Sequence, residues 1–269
     1  MTNHSLVATG LSAGYDGKEI LNGLDLTIPS GRITVIVGAN ACGKSTFLRT
    51  LSRLLVPTKG HVLLDGRSIH RTPARQLART LGLLPQAPIA PEGMTVADLV
   101  SRGRHPHKSL FSRWTRSDDE AVDGALAATK TFDLAERPVD ELSGGQRQRV
   151  WIAMALAQET EILLLDEPTT FLDINHQIEV LDLLTDLNRE RGTTVVMVLH
   201  DLNLAARYAD DLVAMAGGRI YAFGTPEAVL TEDMVREVFG LESRIIKDPL
   251  SGRPMMLPIG RHRMAGSGS

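Results

Sequence analysis

The chain has 269 residues, 43% of them hydrophobic, a formal net charge of −3 and a single cysteine, Cys42. That length and composition can bury the core of one large domain or two small ones, and a lone cysteine supports no internal disulfide framework. Acidic and basic residues are interspersed, so no global positive field argues for nucleic acid as the obligate partner. The opening MTNHSLVATGLSAGYDG lacks the charged start and apolar core of a secretory signal, which points to the cytoplasm. Apolar runs such as Ile162 to Leu165 fall far short of the roughly 20 residues that a bilayer-spanning helix needs. Any membrane link is therefore expected to go through a partner.

In chain order, Leu24, Leu26 and Ile28 alternate with polar residues, and Pro29-Ser30-Gly31 turns the chain into the apolar run Ile33 to Val37, predicting two strands. Phe47, Leu48, Leu51, Leu54 and Leu55 then recur at helical spacing until Pro57. His61 to Leu64 runs into the turn signal Asp65-Gly66, suggesting a small β subdomain. From Pro85 to about Gln158 the composition reads as a helical insertion, with one helix opening at Thr95 and Asp98 placed for a capping box. The runs Ile162 to Leu165 and Val195 to Leu199 flank a helix bearing Val180, Leu184 and Leu187 on one face, a βαβ pattern that favours a buried parallel sheet. Thr225 with Pro226, and Thr231 with Glu232, suit helix starts.

The sharpest chemical signal is Gly38-Ala39-Asn40-Ala41-Cys42-Gly43-Lys44-Ser45-Thr46, a P-loop pattern between a predicted strand and a predicted helix. Glycines there let backbone N–H groups turn toward a polyphosphate, the helix N-terminus adds positive potential, Lys44 reaches the β and γ phosphates, and Ser45 is expected to ligate Mg2+. Ile162 to Leu165 leads into Asp166-Glu167; Asp166 suits Mg2+, directly or through water. Glu167, expected to point elsewhere by strand alternation, suits a general base on the attacking water. Alone, an acidic pair at a strand end is more often just a turn or helix cap, and it is the P-loop upstream that turns the reading toward chemistry. Ser143 and Gln146 have capping-box spacing, and Gly144-Gly145 would let backbone amides approach a phosphate at a helix N-terminus.

LSGGQRQR, Leu142 to Arg149, resembles the signature motif of ABC ATPases. The resemblance implies an α/β P-loop NTPase (RecA-like) core with a parallel sheet, an antiparallel β subdomain and a helical insertion. The expected limits are a single domain over residues 1–260, with the helical subdomain at about 87–158, and a polar tail at 261–269. It further implies that Ser143, Gly144, Gly145 and Gln146 act in trans on ATP held by a second copy. Gln86 matches the Q-loop glutamine near Mg2+ and the nucleophilic water, His200 the switch histidine at the γ-phosphate, and Asp173 the D-loop. Tyr15 is similar to the aromatic that stacks on adenine, although packing alone would also account for its ring.

Within the class, GANACGKST, SRGRHPH followed by Phe111 to Trp114, LLLDEPTTFLDINHQIEVL and HDLNLAARYAD are similar to import ATPases for ferric siderophores of the ferric enterobactin type. That resemblance implies two copies of the chain beneath two membrane permease subunits on the cytoplasmic face of the inner membrane, supplied by a siderophore-binding protein. Haem or cobalamin import would use the same motor chemistry. A soluble ABC protein acting on DNA or ribosomes would usually carry a second cassette or long coiled-coil arms, and neither is read here. The basic stretch Arg102 to Arg116 is expected either to contact a permease or headgroup, or to form a solvated face neutralised by Asp118-Asp119-Glu120.

Overall fold

The computed structural model describes residues 4–108, 113–260 and 262. Phe111 and all of the expected tail except His262 lie outside the described residues. Strands β1 (Leu6–Tyr15) and β2 (Lys18–Ile28) form a hairpin turned at Asp16 and Gly17, both at positive φ as a two-residue loop requires. The sequence reading places the first strand only at Leu24; β1 goes beyond it. Next come β3 (Ile33–Gly38), buried at every position, and helix α1 (Lys44–Leu51). Then β4 (Lys59–Leu64) and β5 (Arg67–Ser68) complete an antiparallel sheet ordered β2-β1-β4-β5.

Helix α1 stops at Leu51 instead of continuing toward Pro57, and the reason is its closure. Arg53 adopts the left-handed conformation (φ 66°), Leu54 N–H donates to the Arg49 carbonyl (2.8 Å) and Arg53 N–H to that of Thr50 (3.2 Å). These are the paired bonds of a Schellman motif, with arginine where glycine is usual. Arg53 Nη1 donates to the carbonyls of Thr72 (2.6 Å) and Ile69 (3.3 Å), which helps to offset the left-handed cost. Leu54 is left 67% exposed.

After α2 (Ala74–Thr80) and β6 (Leu81–Leu84), the insertion carries α3 (Val96–Ser101), a 3₁₀ turn at Arg102–His107, α4 (Arg116–Ala128) and α5 (Gly144–Ala157). Thr95 Oγ1 accepts from Asp98 N–H at 3.1 Å, which is one half of the anticipated capping box. The chain then alternates β7 (Ile162–Asp166), α6 (Ile174–Arg191), β8 (Thr194–Val198), α7 (Leu202–Tyr208) and β9 (Asp211–Ala216). It finishes with β10 (Arg219–Gly224), α8 (Pro226–Val229), α9 (Glu232–Phe239) and a hairpin of β11 (Ser243–Lys247) with β12 (Pro254–Pro258).

The second sheet runs β10-β9-β3-β8-β7-β6, parallel throughout except for β10. Its two faces feed two cores, with Ile33, Val35 and Val37 of β3 on one side and Ile36 on the other, packed with Phe47 of α1. Val180 and Leu184 of α6 are buried on the first side, with Leu187 partly buried beside them.

The basic stretch is not uniformly solvated. Arg104 is 5% exposed; its Nε donates to Asp118 Oδ1 (3.2 Å) and its Nη1 to Glu159 Oε2 (2.7 Å) and the Ala157 carbonyl (2.8 Å). Lys108 also pairs with Asp118. These cations are interior ties between α4 and the end of α5, and this corrects their reading as surface contacts; Arg102, Arg113 and Arg116 remain exposed. Burial pushes the Asp118 carboxyl up, but bonds from Lys108, Thr115 and Arg104 outweigh it and hold the group well below its ordinary 3.8. Because the folded value is depressed, the stabilisation is present above pH 3.8 and is lost as the pH falls through the folded value. Asp118→Ala should cost about 3 kcal/mol at pH 7 by removing the carboxylate that Lys108 and the Arg104 Nε share, which leaves buried Arg104 with Glu159 as its remaining acidic partner. Urea unfolding should show that cost shrinking in strong acid.

Candidate active site

Strand β3 emerges between β8 and β9, so the loop after it opens at the carboxyl end of the parallel sheet, where α/β proteins bind ligands. Gly43 ends the loop at φ 107°, and a Cβ there would lie 2.8 Å from Leu21 Cδ2; at Gly38 one would lie 2.4 Å from the Met215 carbonyl oxygen. The loop is thus wedged between β2 and β9, and Gly43 caps α1 without a side-chain bond. Lys44, 5% exposed, donates from Nζ to the carbonyls of Gly38 (2.8 Å) and Ala39 (3.0 Å). A cleft of about 660 Å³ opens above, lined by Tyr15, Ile20, Asn40, Ala41, Gly43, Lys44, Ser45, Thr46, Gln86, Glu167 and His200. That volume suits a nucleotide-sized ligand. Cys42 belongs to the loop by sequence, but its side chain is buried in the core beside Gly38, and burial pushes its thiol up against the opposing charge of Lys44.

The neighbouring strands deliver the acids and their partners to the same end of the sheet. Asp166 closes β7, and its Oδ1 accepts from Ser45 Oγ at 3.0 Å. Burial pushes the Asp166 carboxyl up and the adjacent Glu167 charge adds to this, against the Ser45 bond and the Arg49 and Lys44 charges. A hydroxyl and a carboxylate so placed are the oxygen ligands that a hard cation such as Mg2+ prefers.

Glu167 departs from the alternation argument. It lies just past the strand at φ 55°, directly before Pro168, and this left-handed backbone aims its carboxylate into the cleft. Such a conformation costs on the order of 1–3 kcal/mol and persists only where the surroundings enforce it. Gln86 Nε2 donates to Glu167 Oε2 (2.7 Å), Thr170 Oγ1 donates to the same oxygen (3.2 Å), and His200 Nε2 lies 2.6 Å from Oε1. The structure therefore brings Gln86, Glu167 and His200 together. Ile20 escapes the sequence reading, although the Asp16-Gly17 turn signals that the chain returns past Tyr15; Thr170 is read there only as part of LLLDEPTTFLDINHQIEVL, and its bond to Glu167 is not. Tyr15 itself is 41% exposed at the cleft mouth, with Arg49 Nη1 3.4 Å from its hydroxyl.

Ser143, Gly144, Gly145 and Gln146 lie apart from this cleft. Ser143 caps α5 in a reciprocal box: its Oγ accepts from Gln146 N–H (3.3 Å), and Gln146 Oε1 accepts from Ser143 N–H (3.1 Å). Asp173 caps α6, accepting from His176 N–H at 3.0 Å, with His176 Nδ1 2.7 Å from the same oxygen. Among the described residues no helix is long and apolar enough to cross a membrane.

The ABC transporter family profile matches residues 21–170. The achromobactin transport ATP-binding protein CbrD of Dickeya dadantii is 52% identical, over 96% of this chain and 96% of its own length. The ferric enterobactin transport ATP-binding protein FepC of Escherichia coli is 52% identical, over 93% of each chain. Among solved structures, a chain of an ABC transporter in an inward-facing conformation superposes with a TM-score of 0.81 at 29% identity, covering 96% of this chain and 98% of that one. The ATP-binding cassette MJ0796, a dimer in a post-hydrolysis state bound to ADP and Pi, gives 0.73 at 27% identity over 82% of this chain and 98% of its own. With the loop, the acids and the signature-bearing helix all in place, the chain belongs to the ABC transporter family as an ATP-binding, ATP-hydrolysing subunit.

Proposed function

We propose that this chain energises ferric siderophore import, as one of two copies bound beneath two membrane permease subunits on the cytoplasmic face of the bacterial inner membrane. The observation that carries the catalytic half of this reading is the clamp on Glu167 by Gln86, Thr170 and His200 at the rim of the cleft that holds Lys44 and Ser45. Relatives at 52% identity that are named for achromobactin and ferric enterobactin transport support the cargo half, against 41% for a cobalamin import protein of Halobacterium salinarum. The cargo reaches the permeases from a siderophore-binding protein and never touches this chain. The chain has no role at nucleic acid, and the permeases alone hold it at the membrane. The loop and the antiparallel sheet belong to one ATPase domain, with the helices between β6 and β7 as its helical subdomain.

In this reading Tyr15 stacks on adenine, and the backbone N–H groups of residues 39–46 face the phosphates at the N-terminus of α1. Lys44 exchanges the Gly38 and Ala39 carbonyls for β- and γ-phosphate oxygens. Ser45, Asp166 and Gln86 are the residues that would hold Mg2+, which when bound neutralises charge on those oxygens. Glu167 orients water in line with the γ-phosphorus and takes its proton as the new P–O bond forms and the bond to the β-phosphate oxygen breaks, giving ADP and phosphate. His200 and Gln86 hold the carboxylate and meet the γ-phosphate side of the site. Ser143, Gly144, Gly145 and Gln146 close over the ATP of the second copy with Asp173 beside them, so that hydrolysis separates the copies and drives the permeases between access states.

Glu167→Gln should lower kcat by about a hundredfold or more while ATP affinity holds. Steady-state turnover together with nucleotide titration checks this, and wild-type turnover would remove Glu167 from its role. Gly43→Val should abolish ATP binding, because both its backbone conformation and the 2.8 Å approach to Leu21 exclude a branched side chain. Equilibrium binding of a fluorescent ATP analogue reads this directly. Cells lacking the chain should lose uptake of at least one radiolabelled ferric siderophore, with rescue by the wild type and not by Glu167→Gln; unchanged uptake of every siderophore would end the cargo assignment.

A further inference from the structure

We propose that Gln148 is a positioning residue that fixes the Glu167-Pro168 turn and ties the water-orienting carboxylate to the signature helix of the same chain. The proposal rests on Glu167 acting as the base. Gln148 lies on α5, five residues beyond the cap Ser143, and is 6% exposed. Its Nε2 donates to the Pro168 carbonyl at 3.0 Å. The link crosses from the helical insertion to the turn that follows β7, joining two parts of the chain that the fold could otherwise let shift independently.

The turn needs such a tie. A residue before proline is normally confined to extended backbone, yet Glu167 is left-handed at φ 55°. Thr170 N–H donates to the Glu167 carbonyl at 3.2 Å from within the turn, and Gln148 fixes the next carbonyl from outside it. The first turn of α5 faces the same loop, close enough that a side chain on either glycine would meet it. A Cβ on Gly144 would lie 3.6 Å from Phe171 Cβ, and one on Gly145 would lie 3.4 Å from Leu172 Cδ2. Positions 144, 145 and 148 thus face residues 168–172 along one side of the helix, with the Gln148 bond tying the two segments so that they move as a unit. Since the signature faces the nucleotide of the second copy while Glu167 serves the chain's own, closure over one ATP is transmitted through Gln148 to the carboxylate at the other.

The test is ATP turnover by the full-length chain carrying Gln148→Met, which keeps the side chain's length and removes its donor, alongside Gln148→Glu, which places an acceptor against the carbonyl. Both should lower kcat by about tenfold to a hundredfold, the scale of a small misplacement of a catalytic group. ATP affinity and the thermal midpoint should hold, and the Hill coefficient for ATP should fall toward one. Wild-type kcat, a loss explained by a lowered midpoint, or a loss with cooperativity unchanged would overturn the proposal. Glu167→Gln run in parallel separates the two ideas. Wild-type turnover there removes the base, whereas a dead Glu167→Gln beside an active Gln148→Met overturns only the tie.

Discussion

The position of β3 between β8 and β9, parallel to both, is the constraint on which the rest of the molecule depends. A strand hydrogen-bonded on both edges and covered on both faces has no solvent-facing side, which is why every residue from Ile33 to Gly38 is apolar or small enough to be buried. Because the neighbours run the same way, their carboxyl ends lie side by side. Gln86 beyond β6, Asp166 at the end of β7 and His200 beyond β8 are drawn from segments far apart in the chain, yet they meet at the loop that follows β3. No one of these side chains needs a special path to the site; the shared direction of the strands places them all.

Charge is handled differently in the two halves of the molecule. In the helical insertion Asp118 is surrounded by Arg104, Lys108 and Thr115, so its charge is matched and the cluster holds α4 to α5. At the catalytic end, among the described residues, Asp166 has only the Ser45 hydroxyl as a direct side-chain partner, with cations at a distance. One buried carboxylate is pulled below its ordinary range and the other is pushed above it, although both are nearly inaccessible to water. The first arrangement suits a permanent tie. The second suits a group whose counter-charge arrives with the nucleotide.

Much of this was legible in the sequence where a residue's chemistry and its neighbours along the chain say the same thing. The P-loop, the apolar run into Asp166 and the Ser143–Gln146 box are of that kind, since spacing alone implies strand, loop, helix or cap. What could not be read depends on contacts between distant residues. The end of α1 is fixed by Arg53 reaching the carbonyls of Ile69 and Thr72, a bond that no helical periodicity contains. The direction of Glu167 follows from a left-handed backbone that strand alternation does not allow for. Arg104 looks like any surface cation until Asp118 and Glu159 are brought against it, and β1 is hidden because Gly10 and Gly14 interrupt its apolar pattern.

The hairpin of β11 and β12 gives the molecule a boundary that its motifs do not announce. Asn203, three residues after His200, uses its side-chain amide as a substitute strand: Nδ2 donates to the Met256 carbonyl (3.2 Å) and Oδ1 accepts from Met256 N–H (2.7 Å). Arg207, one turn further along α7, pairs with Asp248 at 2.9 Å. A fragment that kept α7 but ended before this hairpin would strip both groups of their partners and leave polar atoms open along the helix that carries the chain away from His200. The hairpin is thus tied into the helix that follows His200, although no motif lies within it.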